Sequence, residues 1–188
     1  MTEAEWLTCS DPVAMVRSLQ GRGGERKPRL WACAFFRWRY SDVGMLMRAV
    51  EAAEQWAERG EPNKQSDLSC FLVCDRATWQ AAERTAKCVA KWAESAEKKL
   101  AETFQLQTLR CVFGNPFRRV SIHPGWRSGD AVAVTEGIYF DRAFDRLPLL
   151  ADALEEAGCD NQEILDHCRC NGEHVRGCWV VDLLLGKS

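Results

Sequence analysis

One hundred and eighty-eight residues suffice for one ordinary domain or two small ones, and folding at this length buries about 70% of the surface of the extended chain, so a core forms without help from metals or disulfides. With 25 Lys and Arg against 27 Asp and Glu the net charge is -2, which excludes a polycation built to coat nucleic acid and an acidic disordered tail, while 46% hydrophobic residues mark a globular chain. The longest nearly unbroken apolar run, Cys178 to Leu185, contains Asp182 and is too short to cross a bilayer, and the opening Met1-Thr2-Glu3-Ala4-Glu5 is acidic where a secretory leader is basic; a cytoplasmic protein without a membrane partner is expected.

Helix signals dominate in chain order. Thr2 with Glu5 makes a capping box before Trp6, and Ser10-Asp11-Pro12 supplies a cap and an N1 proline ahead of Val13, Val16 and Leu19. Gln20-Gly21-Arg22-Gly23-Gly24 ends that helix. After Pro28, Leu30, Trp31, Ala34, Phe35 and Trp38 trace one helical face, which Cys33 and Phe36 widen until the helix reads as mostly buried. Ser41 caps the next helix, whose apolar positions run from Val43 to Ala57 and stop at Gly60, with a turn at Glu61-Pro62-Asn63.

From Asp75 to Leu109 the spacing of Trp79, Ala82, Ala86, Val89, Ala93, Ala96, Leu100 and Phe104 predicts one long helix with an alanine-rich contact face, supported on its wet side by Glu83 with Lys87 and Glu94 with Lys98. Its economical partner is the 41–59 helix, in a long hairpin. Gly114-Asn115-Pro116-Phe117 breaks the element, and residues 115–129 divide an N-terminal helical region, 1–114, from a C-terminal bundle, 115–188, packed with it as one unit. Residues 131–140 fit strand or helix. Leu147 to Leu154 is an amphipathic stripe stopped at Gly158, Asp160 caps a short helix through Cys168, Gly172 breaks it, and Val175 to Leu185 is read as a buried helix because no strand partners are present. The expected fold is therefore all-α: a long helical hairpin with a C-terminal bundle of short helices.

Met1 to Leu7, the Arg29-Leu30-Trp31-Ala32-Cys33-Ala34 helix start, the Gly114-Asn115-Pro116-Phe117-Arg118 break, the stretch from Leu147 to Cys159 and His174-Val175-Arg176-Gly177-Cys178-Trp179-Val180-Val181-Asp182 together resemble a highly paralogous family of uncharacterised bacterial proteins. The resemblance covers about the first 60 and last 75 residues, implies a cytosolic bacterial protein, and carries no activity across. Members of that family usually hold Gly or Pro after His167-Cys168-Arg169, so Cys170 is a departure.

Ten cysteines without an export signal are expected to be mostly reduced thiols. Cys33, Cys88 and Cys111 sit inside apolar helical patterns and read as small hydrophobes, and Cys70 and Cys74 lie four apart. Near the C-terminus, however, soft ligands crowd together. Cys168, Cys170, His174 and Cys178 make a compressed zinc-knuckle spacing; the set Cys159, Cys168, His174 and Cys178 avoids the strained one-residue gap and is the preferred metal site, with Cys170 and His167 as alternates. The competing reading makes the cysteines core residues and the histidines surface groups.

The sequence carries no hydrolase elbow, Walker loop, dinucleotide fingerprint or His-Glu-x-x-His motif, so no catalytic residue is assigned, and a Cys/His enzyme is kept only as a second alternative. Arg26, Lys27, Arg29, Arg37 and Arg39 interleave with aromatic residues, and Arg118, Arg119 and Arg127 add a second basic group; together they define the first alternative, a nucleic-acid-associated accessory protein. The leading expectation is a non-catalytic protein-interaction or regulatory module, possessing a structural zinc site if the cluster binds metal. Its C-terminal helices loosely resemble a ubiquitin-associated-type bundle, which implies a partner patch at Leu154, Gly158, Cys159, Leu184 and Leu185.

Overall fold

The computed structural model describes residues 1–22, 24–60, 78–91 and 93–187, and within them the chain is all-α. The helices are α1 (Glu3–Thr8), α2 (Pro12–Leu19), α3 (Arg26–Arg39), α4 (Gly44–Arg59), α5 (Thr78–Ala90), α6 (Ala96–Phe113), α7 (Gly129–Asp141), α8 (Leu147–Glu156), α9 (Gln162–Arg169) and α10 (Trp179–Leu185), with single 3-10 turns at Pro124–Trp126 and Phe144–Arg146. Residues 131–140, which fitted either class, are helical. The Glu61-Pro62-Asn63 turn and the Cys70 and Cys74 pair lie outside the described residues.

Apolar residues on every side of α3 make it the axis of the N-terminal half. Leu30 to Phe36 are all buried, and α4, α5 and α6 pack around this helix. Trp31 donates its indole N–H to Thr108 Oγ1 at 3.0 Å, which satisfies the polar edge of a fully buried ring. Trp6, Met15, Val16 and Leu19 close one end against Ala82, Ala86 and Leu109. Arg110 caps the short α1 by donating to the carbonyls of Trp6, Leu7 and Cys9, the last at 2.8 Å.

The long helix and two of the expected caps give way to the structure. The long helix is two helices, because Ser95 adopts extended backbone and accepts a hydrogen bond from the Lys98 amide, starting α6 in a new phase. Continuing the α5 stripe would turn Leu100 inward; instead Leu100 is 60% exposed, while Ala101, Phe104, Thr108 and Val112 face the core. Among the described residues the main packing of α4 is on α3. Ser41 bonds to Asp42 and α4 starts after Val43, and the cap of α9 is Asn161, not Asp160, its side chain accepting from the Ile164 amide. In both cases the polar residue nearer the first helical turn has the geometric advantage, or no side-chain cap is used at all.

Two buried or half-buried acids fasten the helices. Glu54, on α4, is held by Arg37 of α3 at 3.1 Å and by Arg142, the left-handed residue that ends α7. Glu83, on α5, meets Lys87 at 2.7 Å and Arg17 of α2 at 2.8 Å, and these hydrogen bonds, Lys87 first, hold its pKa at about 2 against an ordinary 4.5. Depression of a carboxyl means stability that is present above pH 4.5 and lost as pH falls toward 2. Glu83→Gln should therefore lower the urea midpoint at neutral pH by an amount equivalent to at most about 1 kcal/mol, the pair being near the surface, with the gap to the parent closing in acid. A gap that stays constant with pH would remove the ion pairs as its cause.

The C-terminal half has its own core. Ile138, Leu147, Leu150, Leu154, Ile164, Val181 and Leu184 pack together, and Cys111 from α6 joins them from the other half of the chain. Among the described residues no helix is long and apolar enough to cross a membrane.

Candidate metal centre

Three separate parts of the chain converge where α6, α9 and α10 meet. Cys111 lies in the last turn of α6, His167 in the last turn of α9, His174 in the loop that follows, and Cys178 caps α10. One ligand atom from each of Cys111, His167, His174 and Cys178 falls within 4.8 Å of all the others, so these four residues could hold a metal ion. Cys111 Sγ is 3.5 Å from His174 Nδ1, and His167 Nε2 is 3.2 Å from Cys178 Sγ. The two imidazoles meet edge to face at 4.9 Å, and the far side of His167 rests 5.2 Å from the Trp179 ring. His174 Nε2 points away from the cluster, 3.4 Å from the Cys170 carbonyl, to which it can donate; a ligating histidine is oriented by that kind of outer hydrogen bond.

Two glycines allow the halves to approach this closely. Gly114, just past α6, has φ +59 and would place a Cβ 3.0 Å from Trp179 Cγ. Gly177, immediately before Cys178, has φ +94 and would place one 3.1 Å from Leu30 Cδ1. Gly177→Ala combines left-handed strain with overpacking and should cost about 2 to 4 kcal/mol in denaturant unfolding. Gly137→Ala, inside α7 with nothing within 4 Å of the new methyl, should instead stabilise by about 0.5 kcal/mol. Equal effects at the two positions would contradict the close-approach argument.

Burial opposes a charge on Cys178, but the Cys111 thiol beside it and the imidazoles of His167 and His174 outweigh burial and hold its pKa well below the ordinary thiol value. Burial, together with the neighbouring Cys178, pushes Cys111 well above it. Lys27, which donates to the Val112 carbonyl at 2.9 Å, adds positive potential at both sulfurs. The two sulfurs thus differ, Cys178 held toward the thiolate and Cys111 toward the neutral thiol.

Of the residues expected from sequence, the structure brings His174 and Cys178 together with the alternate His167. Cys159 and Cys168 stay outside the group. Cys168 follows His167 on one helix, and consecutive residues point about 100° apart, so only one of them faces the cluster; Cys168 is fully buried in the C-terminal core, where burial raises its pKa. Cys159 lies beyond the end of α8 in the same core. Cys170 Sγ is 3.4 Å from His174 Nε2, but it is exposed and on the outer side of the ring. The residue missed from sequence is Cys111. It has helical spacing to Phe104 and Thr108 and carries no signal that separates a ligand from a core thiol.

The residues assigned to the nucleic-acid alternative do not form one face. Arg29 is buried with its guanidinium 3.7 Å from the Trp56 ring, Arg37 is turned onto Glu54, and Arg39 lies near the Tyr40 ring, while Arg127 is exposed. Trp31, Phe35 and Phe36 are core residues and offer no ring to a base. Arg26, Lys27, Arg118 and Arg119 do converge, on the walls of one cleft. The expected partner patch is also absent as a surface: Leu154 and Leu184 are 0% exposed inside the core that the short helices share, Cys159 is buried with them, Leu185 is partly covered, and Gly158 alone is open. His123 spends its Nδ1 on the Gly125 amide, forming the cap of a 3-10 turn.

Compared with protein-family models, with curated proteins and with solved structures, the chain matches none of them.

Proposed function

We propose that Cys111, His167, His174 and Cys178 form a structural zinc site, and that the protein is a non-catalytic helical module whose C-terminal short helices are stapled to α6 by the metal. The observation that carries this reading is the gathering of four donor atoms within 4.8 Å, three from the stretch 167–178 and one, Cys111, from the distant α6. Tetrahedral zinc with bonds near 2.0 Å to nitrogen and 2.3 Å to sulfur has ligand-to-ligand edges of about 3.3 to 3.8 Å. The pairs at 3.2 and 3.5 Å already approach those lengths. Two thiolates and two imidazoles suit zinc above the hard cations, and a four-residue protein shell leaves no position for a substrate.

Burial supports the structural role. Cys178 is 0% exposed and Cys111 2%, so neither sulfur is available as a nucleophile to a substrate in solvent. Likeness to a paralogous bacterial family fits a cytosolic accessory protein acting on another protein. Metal analysis of protein prepared without added metal tests the reading: about one zinc per chain is expected, and a metal-free protein whose melting is indifferent to chelator would end it. Affinity capture from bacterial cytosol, with and without nuclease, tests the partner class, with a protein partner surviving nuclease.

A further inference from the structure

A cleft of about 620 Å³ opens between the start of α3, the segment after α6 and one side of α10. Its size falls in the range of small-molecule sites, about 300 to 1,000 Å³. Phe113, Pro116, Val120, Trp179 and Leu183 give it apolar walls, while its rim is cationic. Three of the rim cations are neutralised: Arg26 by Asp182, Arg118 by Glu3 and Lys187 by Glu58. Lys27 donates to the Val112 carbonyl and shares the field of Asp182 with Arg26, while Arg22 lies over the Phe117 ring at 5.3 Å and Arg119 is exposed; among the described residues neither of these two arginines has an ion-pair partner.

We infer that this cleft binds a small aromatic phosphate, its flat ring against Trp179 and Phe113 and its phosphate among Arg22, Lys27 and Arg119. Charge complementarity selects the occupant. The lining sets six cations against two carboxylates, Glu163 and Asp182, with Arg22 and Arg119 unpaired, and this excess disfavours a neutral or cationic ligand, while guanidinium groups match phosphate oxygens in geometry as well as charge. A nucleic-acid strand needs a groove of alternating cations and open rings, and the neighbouring α3 aromatics are buried, so the cleft suits a small ligand better than a strand. The cleft shares two residues with the surroundings of the metal centre, Lys27, whose charge is felt at both sulfurs, and the Trp179 ring, which lies against His167, whereas Arg22 and Arg119 belong to the cleft alone.

Titration calorimetry on the full chain at low salt, with adenosine 5′-monophosphate and 4-nitrophenyl phosphate as probes, tests the assignment. At least one probe should bind, tenfold or more tighter than adenosine, 4-nitrophenol or inorganic phosphate alone. Arg22→Ala and Arg119→Ala, both at exposed positions, should each weaken it about tenfold with the melting temperature unchanged, the size expected for one charge-assisted hydrogen bond. The inference is overturned if neither probe binds, if the phosphate adds nothing over the parent ring compound, if both variants bind as the parent does, or if a short single-stranded oligonucleotide binds a hundredfold tighter than the mononucleotide. Each of these outcomes leaves the metal reading intact, since zinc content is measured separately.

Discussion

On the proposed zinc reading, chelation should lower the melting temperature by about 6 to 12 °C. The C-terminal core retains its apolar contacts without metal, so the loss is set well below the full affinity of a zinc-finger peptide, at about 3 kcal/mol, and a chain of this length loses about 2 to 4 °C per kcal/mol. Chelator in the parent protein should reproduce the effect of Cys111→Ser or Cys178→Ser, and chelator should do nothing further to either variant. The decisive comparison lies between cysteines. Cys159→Ala and Cys168→Ala remove thiols that sit in the core outside the four-residue group, so they should soften packing yet retain one zinc per chain. Zinc lost from Cys168→Ala and kept by Cys111→Ser would reverse the ligand assignment.

Replacing Asp182 with Asn should destabilise the chain by about 3 to 5 kcal/mol, the cost of stranding a buried charge. Asp182 is 1% exposed and accepts two hydrogen bonds from Arg26, at 2.6 and 3.0 Å, joining α10 to the start of α3 across the widest sequence separation of any ion pair described here. Arg26→Met leaves Asp182 without its guanidinium and should cost a similar amount. The pair itself is a different quantity: Arg26→Met combined with Asp182→Leu should recover most of the loss, because an apolar pair of similar volume needs no desolvation. Denaturant unfolding of the two singles and the double measures the coupling. Additive effects would mean that each group is held by other partners, with Glu58, which also contacts Arg26 at 2.9 Å, the first to examine.

The class of fold was legible because its cause is local. Helical periodicity, the Thr2 and Glu5 capping box and the Asp11-Pro12 helix start act within a few residues, and each is present in the structure. The buried character of α3 was legible for the same reason, since apolar residues on all sides have nowhere else to go. The break before α6 was not, because Lys91 to Ser95 contains no glycine or proline and the choice turns on which face of α6 the core accepts. Likewise, cap choice at α9 depends on a difference of one residue in where the helix begins.

His167, His174 and Cys178 could be named from sequence because they crowd within one short stretch of chain, and density is visible in one dimension. Cys111 could not. Its membership depends on α10 being laid against α6, which follows from Gly114 and Gly177 letting backbone and indole approach and from Arg26 holding Asp182, all interactions between residues far apart in the chain. The amino-acid order alone thus determined most of the helices and three of the four members of the candidate group. Tertiary packing decided which thiols complete that set and which cations remain unneutralised in the cleft, since both depend on distances that only the folded chain defines.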